Sequence, residues 1–197
     1  MREAETKIVD LTDQHEGSYL VCLEDWSDEM KEAGDHKARW YRAMRDRGLR
    51  VKLALGADDR PIGMIQYLPI EHSLAVGTDL YMIMCIWVHG HKEGAGNRQG
   101  GGVGRALLAA AERDTRELGA KGIVAWGVLL PFWMKAGWFK KHGYRQADRI
   151  GTRALMWKPF ADTAMPPRWI EQGPKPDRIE GKVAVTAFVN GWCPASN

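Results

Sequence analysis

No run of this chain is both apolar and long enough to cross a bilayer. The uncharged, mostly apolar stretch of residues 123–134 is broken by Gly127 and Pro131 and falls short of the roughly 20 residues a spanning helix needs. Cysteine is scarce. Cys22, Cys85 and Cys193 stand far apart, an odd number without metal-ligand spacing, which argues against both a disulfide framework and a bound metal. An excess of one charge is also missing: Lys plus Arg is 28, Asp plus Glu is 25, and the net +3 comes without a basic run, so no nucleic-acid partner is expected. The opening Met-Arg-Glu-Ala-Glu-Thr-Lys carries no apolar signal segment. These absences leave a reduced, soluble, cytoplasmic protein as the expectation. At 197 residues and 45 % hydrophobic content, the chain suits one domain with a short appendage.

What is present is a ladder of alternating elements. Residues 7–11 predict a strand, and residues 15–49 two helical pieces broken near Gly34, the second capped by Asp35 and stopped by Gly48. Val51, Leu53 and Leu55 alternate with Lys52 and Ala54, the period-two pattern of a half-buried strand, and a turn through Asp58-Asp59-Arg60-Pro61 returns it as residues 62–68. Residues 81–88 are apolar at both parities, which marks a central strand covered on both faces. Val103, Leu107, Ala111 and Leu118 define one face of a helix closed by Gly119. A strand at 121–126, a short helix at 132–142 and a hairpin across Gly151 follow. The sum is α/β: a mixed, mostly antiparallel central sheet flanked by helices.

Between the central strand and the long helix lies Gln99-Gly100-Gly101-Gly102-Val103-Gly104-Arg105. Glycines let the backbone approach a ligand, and the free N–H groups of a helix N-terminus favour an anion. The segment reads as a pyrophosphate cradle. A nucleoside-triphosphate loop would need Lys and Ser or Thr after Gly104, where Arg105 and Ala106 stand; the dinucleotide fingerprint would need a third glycine at Leu107. Neither fits. Gln/Arg-x-x-Gly-x-Gly/Ala does fit, through Gln99, Gly102 and Gly104.

That signature, with Trp138-Phe139-Lys140-Lys141-His142-Gly143-Tyr144 one strand downstream, resembles the GNAT superfamily of N-acetyltransferases over roughly residues 1–160. The resemblance implies two strands splayed around acyl-coenzyme A, with acetyl-CoA as co-substrate and no metal. It places the coenzyme on Ile86, Trp87, Val88, Gln99, Gly100, Gly101, Gly102, Val103, Gly104, Arg105 and Lys140. Acyl transfer to an amine also needs a base and an acid. For the base, Glu71 and His72 before the central strand and His89 and His91 after it are candidates, with His89 nearest the coenzyme strand. For the acid, the family's usual tyrosine is replaced by Phe139, so Tyr144, another residue or water would serve. The loop of residues 89–98 is longer than usual in the family and either shapes substrate access or is a tolerated insertion.

The expected reaction is acetyl transfer to an unidentified small-molecule or peptide amine; the alternative is a non-catalytic acyl-CoA-binding or sensing protein. The acceptor is the expected partner, with no nucleic acid or membrane, and a homodimer is left open. Residues 161–181 read as a Pro/Gly-containing linker. Residues 182–197 read as an extension strand or the truncated start of a thioredoxin-like module, since Trp192-Cys193-Pro194 lacks a second nearby cysteine.

Overall fold

In the computed structural model, the described residues are 6–130, 134–171, 173, 175–185 and 190–194. The chain runs β1 (Lys7–Asp10), α1 (Asp13–Leu20), α2 (Asp28–Glu32), α3 (His36–Arg45), β2 (Arg50–Leu55) and β3 (Pro61–Pro69). After a 3-10 turn at Ile70–His72 come β4 (Ala75–Val76), β5 (Leu80–Val88), α4 (Val103–Glu117), β6 (Gly122–Val128), α5 (Ala136–Lys141), β7 (Arg145–Ile150) and β8 (Arg153–Pro159). Three two-residue strands complete the order, β9 (Arg168–Trp169), β10 (Arg178–Ile179) and β11 (Lys182–Val183). Seven strands form one sheet in the order β1-β2-β3-β5-β6-β8-β7, antiparallel throughout except where β5 meets β6. This is the mixed sheet the alternating pattern predicts. Among the described residues, no helix is long and apolar enough to cross a membrane.

The sheet separates two apolar layers. On one face Tyr19, Leu23, Leu53, Met64, Met82, Met84 and Trp157 pack beneath α1 and α3. On the other, Ile65, Ile83, Ile123, Ala125 and Met156 pack against Val103, Leu107 and Ala111 of α4 and Phe139 of α5. Leu53, Ile83 and Leu107 are fully buried, and each such side chain is worth roughly 1.5–3 kcal/mol against exposure.

Packing corrects two local expectations. The helical stretch before β2 breaks twice, at Gly34 and again at residues 21–27, giving three helices rather than two. At the extra break Cys22 and Leu23 take left-handed φ of 53° and 67°, strained for non-glycine residues, and Leu23 is thereby drawn into the core at 4 % exposure. Strand β2 is also less half-buried than its alternation suggests. Ala54 is fully buried under α4, and the Lys52 side chain is 12 % exposed because it reaches carboxylates rather than water.

Asp114, on the inner face of α4, is the acceptor in that arrangement. Arg50 grips it with a two-pronged pair of bonds (2.9 and 2.7 Å), Tyr67 Oη donates at 2.7 Å and Lys52 Nζ at 3.0 Å. Burial alone would raise the Asp114 pKa; the hydrogen bonds from Arg50, Tyr67 and Lys52 overcome it and hold it down to about 2. The cluster locks the long helix to β2 and β3 and so aims the helix's opposite end.

Residues 161–181 do not simply span a gap. Pro167 and Trp169 are buried, β9 pairs with β4, and the Trp169 N–H donates to Asp148 Oδ2 at 2.9 Å. Of the strand-like run at 182–189, Lys182–Val183 pairs with β10, while residues 186–189 lie outside the described residues, as does the expected helix start at 132–133.

Replacing Asp114 by Ala leaves Arg50 and Lys52 with only the exposed Asp10 as counter-charge and Tyr67 Oη without its acceptor, and denaturant unfolding is expected to show a loss of about 2 kcal/mol. A carboxyl with a depressed pKa stabilises above the unfolded carboxylate range, near pH 4. The wild type should therefore lose this contribution as pH falls from about 4 toward 2, and the variant should show a flatter acid limb.

Candidate functional site

The central strands part company in mid-sheet. β5 and β6 pair only from Leu80–Gly122 to Ile83–Ala125. Just past that point β5 carries one residue too many: Gln66 faces Cys85 and Tyr67 faces Ile83, so Met84 is a bulge against β3. A bulge bends its strand and strengthens the local twist, and here it turns the C-terminal half of β5 away from β6. The Trp126 indole fills the crotch, donating to Met84 O at 2.9 Å. Beyond the bulge, His89 N–H donates to Ile62 O at 3.0 Å. In an antiparallel ladder, backbone groups alternate sides. His89 and Trp87 therefore bond toward β3, while Ile86 and Val88 turn theirs toward the fork.

The N-terminus of α4 opens onto the same fork. A cleft of about 720 Å³ is lined by Ile86, Trp87 and Val88, by residues 98–105, and by Met134, Lys135, Trp138, Phe139 and His142. No carboxylate is among these described lining residues, and three of them are cations: Arg98, Arg105 and Lys135. Gly100 and Gly102 have φ of 86° and 81°, the left-handed region open to glycine at little cost. Helix N–H groups from Val103 to Arg105 have no carbonyl one turn back, the first internal bond being Ala106 N–H to Gly102 O at 3.0 Å. Gly104 is the floor. A Cβ there would sit 3.4 Å from Trp138 and 3.6 Å from Val88, inside the cleft. Amides, cations and bare backbone at one end, and an unpaired strand edge at the other, suit a ligand with a diphosphate head and an amide-bearing arm.

The coenzyme residues expected from the sequence meet here, except Lys140, which is exposed on α5 while Lys135 lines the cleft in its stead. Gln99 also braces the loop, since its Nε2 donates to Val88 O at 3.1 Å and ties the glycines to the strand.

The candidates for proton transfer are not brought together. His89 is fully buried. Trp26 Nε1 donates to its Nε2 (3.3 Å), and its Nδ1 faces Gly96 O (2.9 Å). An indole N–H only donates and a carbonyl only accepts, so the ring is the Nδ1–H tautomer with both nitrogens engaged. These contacts anchor the long loop. Arg98 N–H to His89 O (2.8 Å) and Gly94, whose Cβ would lie 2.4 Å from Trp26, fasten the rest. Glu71 and His72 are exposed in the turn at the far end of β5, where Pro69 faces Tyr81, about 20 Å of strand from Val88. Tyr144 lies in the core behind Phe139, outside the cleft lining. Burial, and then the charge of Glu112, push its pKa well above 10.

Other titratable groups stand nearer the cleft. Trp87 lines the cleft, its ring 6.2 Å from His91, which lies 5.2 Å from Trp26 and whose Nε2 is 3.5 Å from Glu24 Oε1. Glu24 is 13 % exposed, in the break between α1 and α2. The Trp87 indole N–H is buried and finds no acceptor among the described residues. His142 is the imidazole on the lining, held by its Nδ1 to Trp138 O at 2.8 Å, its ring centroid 4.2 Å from that of Trp138 at a tilt of 39°. His91 was among the sequence candidates; Glu24 and His142 were not. The Glu24 break is a tertiary effect, whereas the spacing of Trp138 and His142, four apart on one helix, is a signal the sequence did carry.

The family model for the acetyltransferase (GNAT) family matches residues 11–144. No curated protein sequence matches the chain. Solved structures share the fold at low identity. A GNAT-family acetyltransferase from Staphylococcus aureus Mu50 is 12 % identical, with a TM-score of 0.58 over 79 % of this chain and 99 % of its own. The PaiA N-acetyltransferase of Thermoplasma acidophilum, in complex with coenzyme A, is 16 % identical, with 0.56 over 80 % and 100 %. A GNAT-family acetyltransferase from Brucella melitensis, in complex with acetyl-CoA, is 19 % identical, with 0.55 over 82 % and 92 %.

If His89 anchors the loop, His89→Ala strands the Gly96 carbonyl and frees residues 89–98. Trypsin should then cut at Lys92 or Arg98 at least tenfold faster than in the wild type, with global stability lowered by about 2 kcal/mol. An unchanged cleavage rate would contradict the anchoring role.

Proposed function

Because the chain belongs to the GNAT acetyltransferase family, we propose that it moves an acetyl group from acetyl-CoA to the amine of a small molecule or peptide. The observation that carries this reading is the forking of β5 from β6 at Met84, with the N-terminus of α4 facing the opening. The acetyl-CoA thioester supplies the activated acyl group. Amides from Val103 to Arg105, with the Arg105 and Lys135 side chains, bind its diphosphate. Ile86 and Val88 offer their outward backbone groups as a strand edge to the pantetheine amides, and a backbone N–H beyond the bulge polarises the thioester carbonyl.

Glu24, through His91, takes the acceptor's proton. The pair stands one ring beyond Trp87, on the face of the sheet away from α4, so an amine held there meets the thioester from the opposite side. Trp26 and Trp87 exclude water around it and offer π-faces to a cationic acceptor. Phe139, fully buried, has no proton to give the departing thiolate; His142 on the lining, or water, does so. No step needs a metal. The binding-only reading is favoured by that same Phe139.

Calorimetry and a thiol-release assay over a panel of amines separate the two. Turnover on at least one amine is expected; tight coenzyme A binding without turnover on any would establish the binder instead. Gly102→Asp forces a left-handed non-glycine and an anion into the cradle, and should weaken coenzyme A binding at least 100-fold, about 2.7 kcal/mol. Wild-type affinity in that variant would overturn the site. Glu24→Gln should lower kcat about 100-fold with coenzyme A affinity unchanged.

A further inference from the structure

The Trp192-Cys193-Pro194 segment plays no part in the cleft, and by sequence alone its cysteine lacks a partner thiol. The fold supplies one. Residues 190–194 lie back on the sheet face opposite α4, where Trp192 O accepts from Gln66 Nε2 (3.2 Å) and Cys193 O from His36 Nε2 (2.9 Å). Gly191 fits so closely that a Cβ would stand 2.9 Å from the Trp40 side chain, and the Trp40 and Trp192 rings meet at 6.5 Å. This seating sets Cys193 beside Cys22, 171 positions away in sequence: His36, which holds the Cys193 carbonyl, is next to Lys37, whose Nζ lies 3.2 Å from Cys22 Sγ. Both thiols are reduced and partly exposed.

We propose that Cys22 and Cys193 form a redox-active dithiol, a modification site that a hydroperoxide closes into a disulfide. Lys37, on α3, is 1 % exposed, its Nζ 3.2 Å from Cys22 Sγ and 4.1 Å from the Tyr19 ring centroid, with the Tyr19 carbonyl as a further acceptor. Among the described residues no carboxylate lies within ion-pair distance of it. A buried ammonium needs a counter-charge, and a Cys22 thiolate is the group placed to give it. The hydrogen bond from Cys193 and the Lys37 charge outweigh burial and the nearby Glu24, bringing the Cys22 pKa down to about 6. Cys85 and Tyr19 also face it, and both are pushed up chiefly by burial, so they stay protonated. The left-handed backbone of Cys22 at φ 53° is a strained position of the kind that persists where the surroundings hold it.

In the first step the Cys22 thiolate attacks the terminal peroxide oxygen; the S–O bond forms, the O–O bond breaks and the alkoxide or hydroxide leaves, taking up a proton. Cys193 then attacks the Cys22 sulfur, forming S–S and expelling hydroxide, which takes the proton Cys193 gave up. Two thiols and one hydroperoxide yield one disulfide, one alcohol or water, and a further water. The bond would fasten residue 193 over Gln66, at the centre of the sheet.

The test is hydrogen peroxide titration of the whole chain, read by intact mass and peptide mapping. The expected result is loss of two hydrogens per chain, a Cys22–Cys193 linked peptide, and a melting temperature several degrees higher that dithiothreitol returns to its starting value. Cys193→Ser should stop at a dimedone-reactive sulfenic acid on Cys22, while Cys85→Ser should behave as wild type. Iodoacetamide should alkylate Cys22 with a midpoint near pH 6, and Lys37→Met should slow that reaction at least tenfold at neutral pH. Oxidation falling first on Cys85, links only between separate chains, or Cys22 alkylation no faster than in the unfolded protein would each overturn the proposal.

Discussion

The architecture turns on one surplus residue. Met84 has no opposite number on β3, and a strand that carries a bulge cannot keep its line. Up to Ile83 the two central strands share a parallel ladder; afterwards β5 follows β3 and β6 follows β8. A backbone edge in the middle of a sheet would be a poorly satisfied surface in most proteins. Here it faces a cleft, and Trp126 covers only its apex. Had Gln66 and Tyr67 faced consecutive residues, the ladder would have run on and left no opening.

The helix that completes the cleft is held at its far end. Asp114 binds Arg50, Lys52 and Tyr67 with four hydrogen bonds on one carboxylate, so the last turns of α4 are fixed against β2 and β3. Its first turn is left bare by glycine. The division is physical: a part-buried, charge-assisted clamp gives orientation, while an open amide terminus keeps its dipole and donors for a ligand. The apolar stripe of Val103, Leu107 and Ala111 joins the two ends to the sheet.

Across the sheet, the break between α1 and α2 serves two purposes. Its start carries Cys22, pressed toward Lys37 and the returning C-terminal segment; its later residues carry Glu24 and Trp26, pressed toward His91 and His89. The left-handed turn at Cys22 and Leu23 makes both arrangements compatible, because Leu23 buries itself between them.

The order of elements, the glycine loop at the head of α4 and the centrality of β5 were legible in the chain, because each rests on local periodicity or on glycines whose backbone freedom is intrinsic. The groups proposed for proton transfer were not. His89 looked suitable by its place beside the strand, yet its fate depended on Trp26 arriving from 63 residues away to occupy its Nε2. Glu24 gave no signal, since a lone glutamate in a helical stretch meets His91 only when a break turns it that way. Cys193 read as a thiol without a partner for the same reason. Sequence periodicity settled which strands exist; only the folded chain decided where they separate and which distant side chains meet, because bulges and long-range contacts are set by packing across the sheet and leave no period behind.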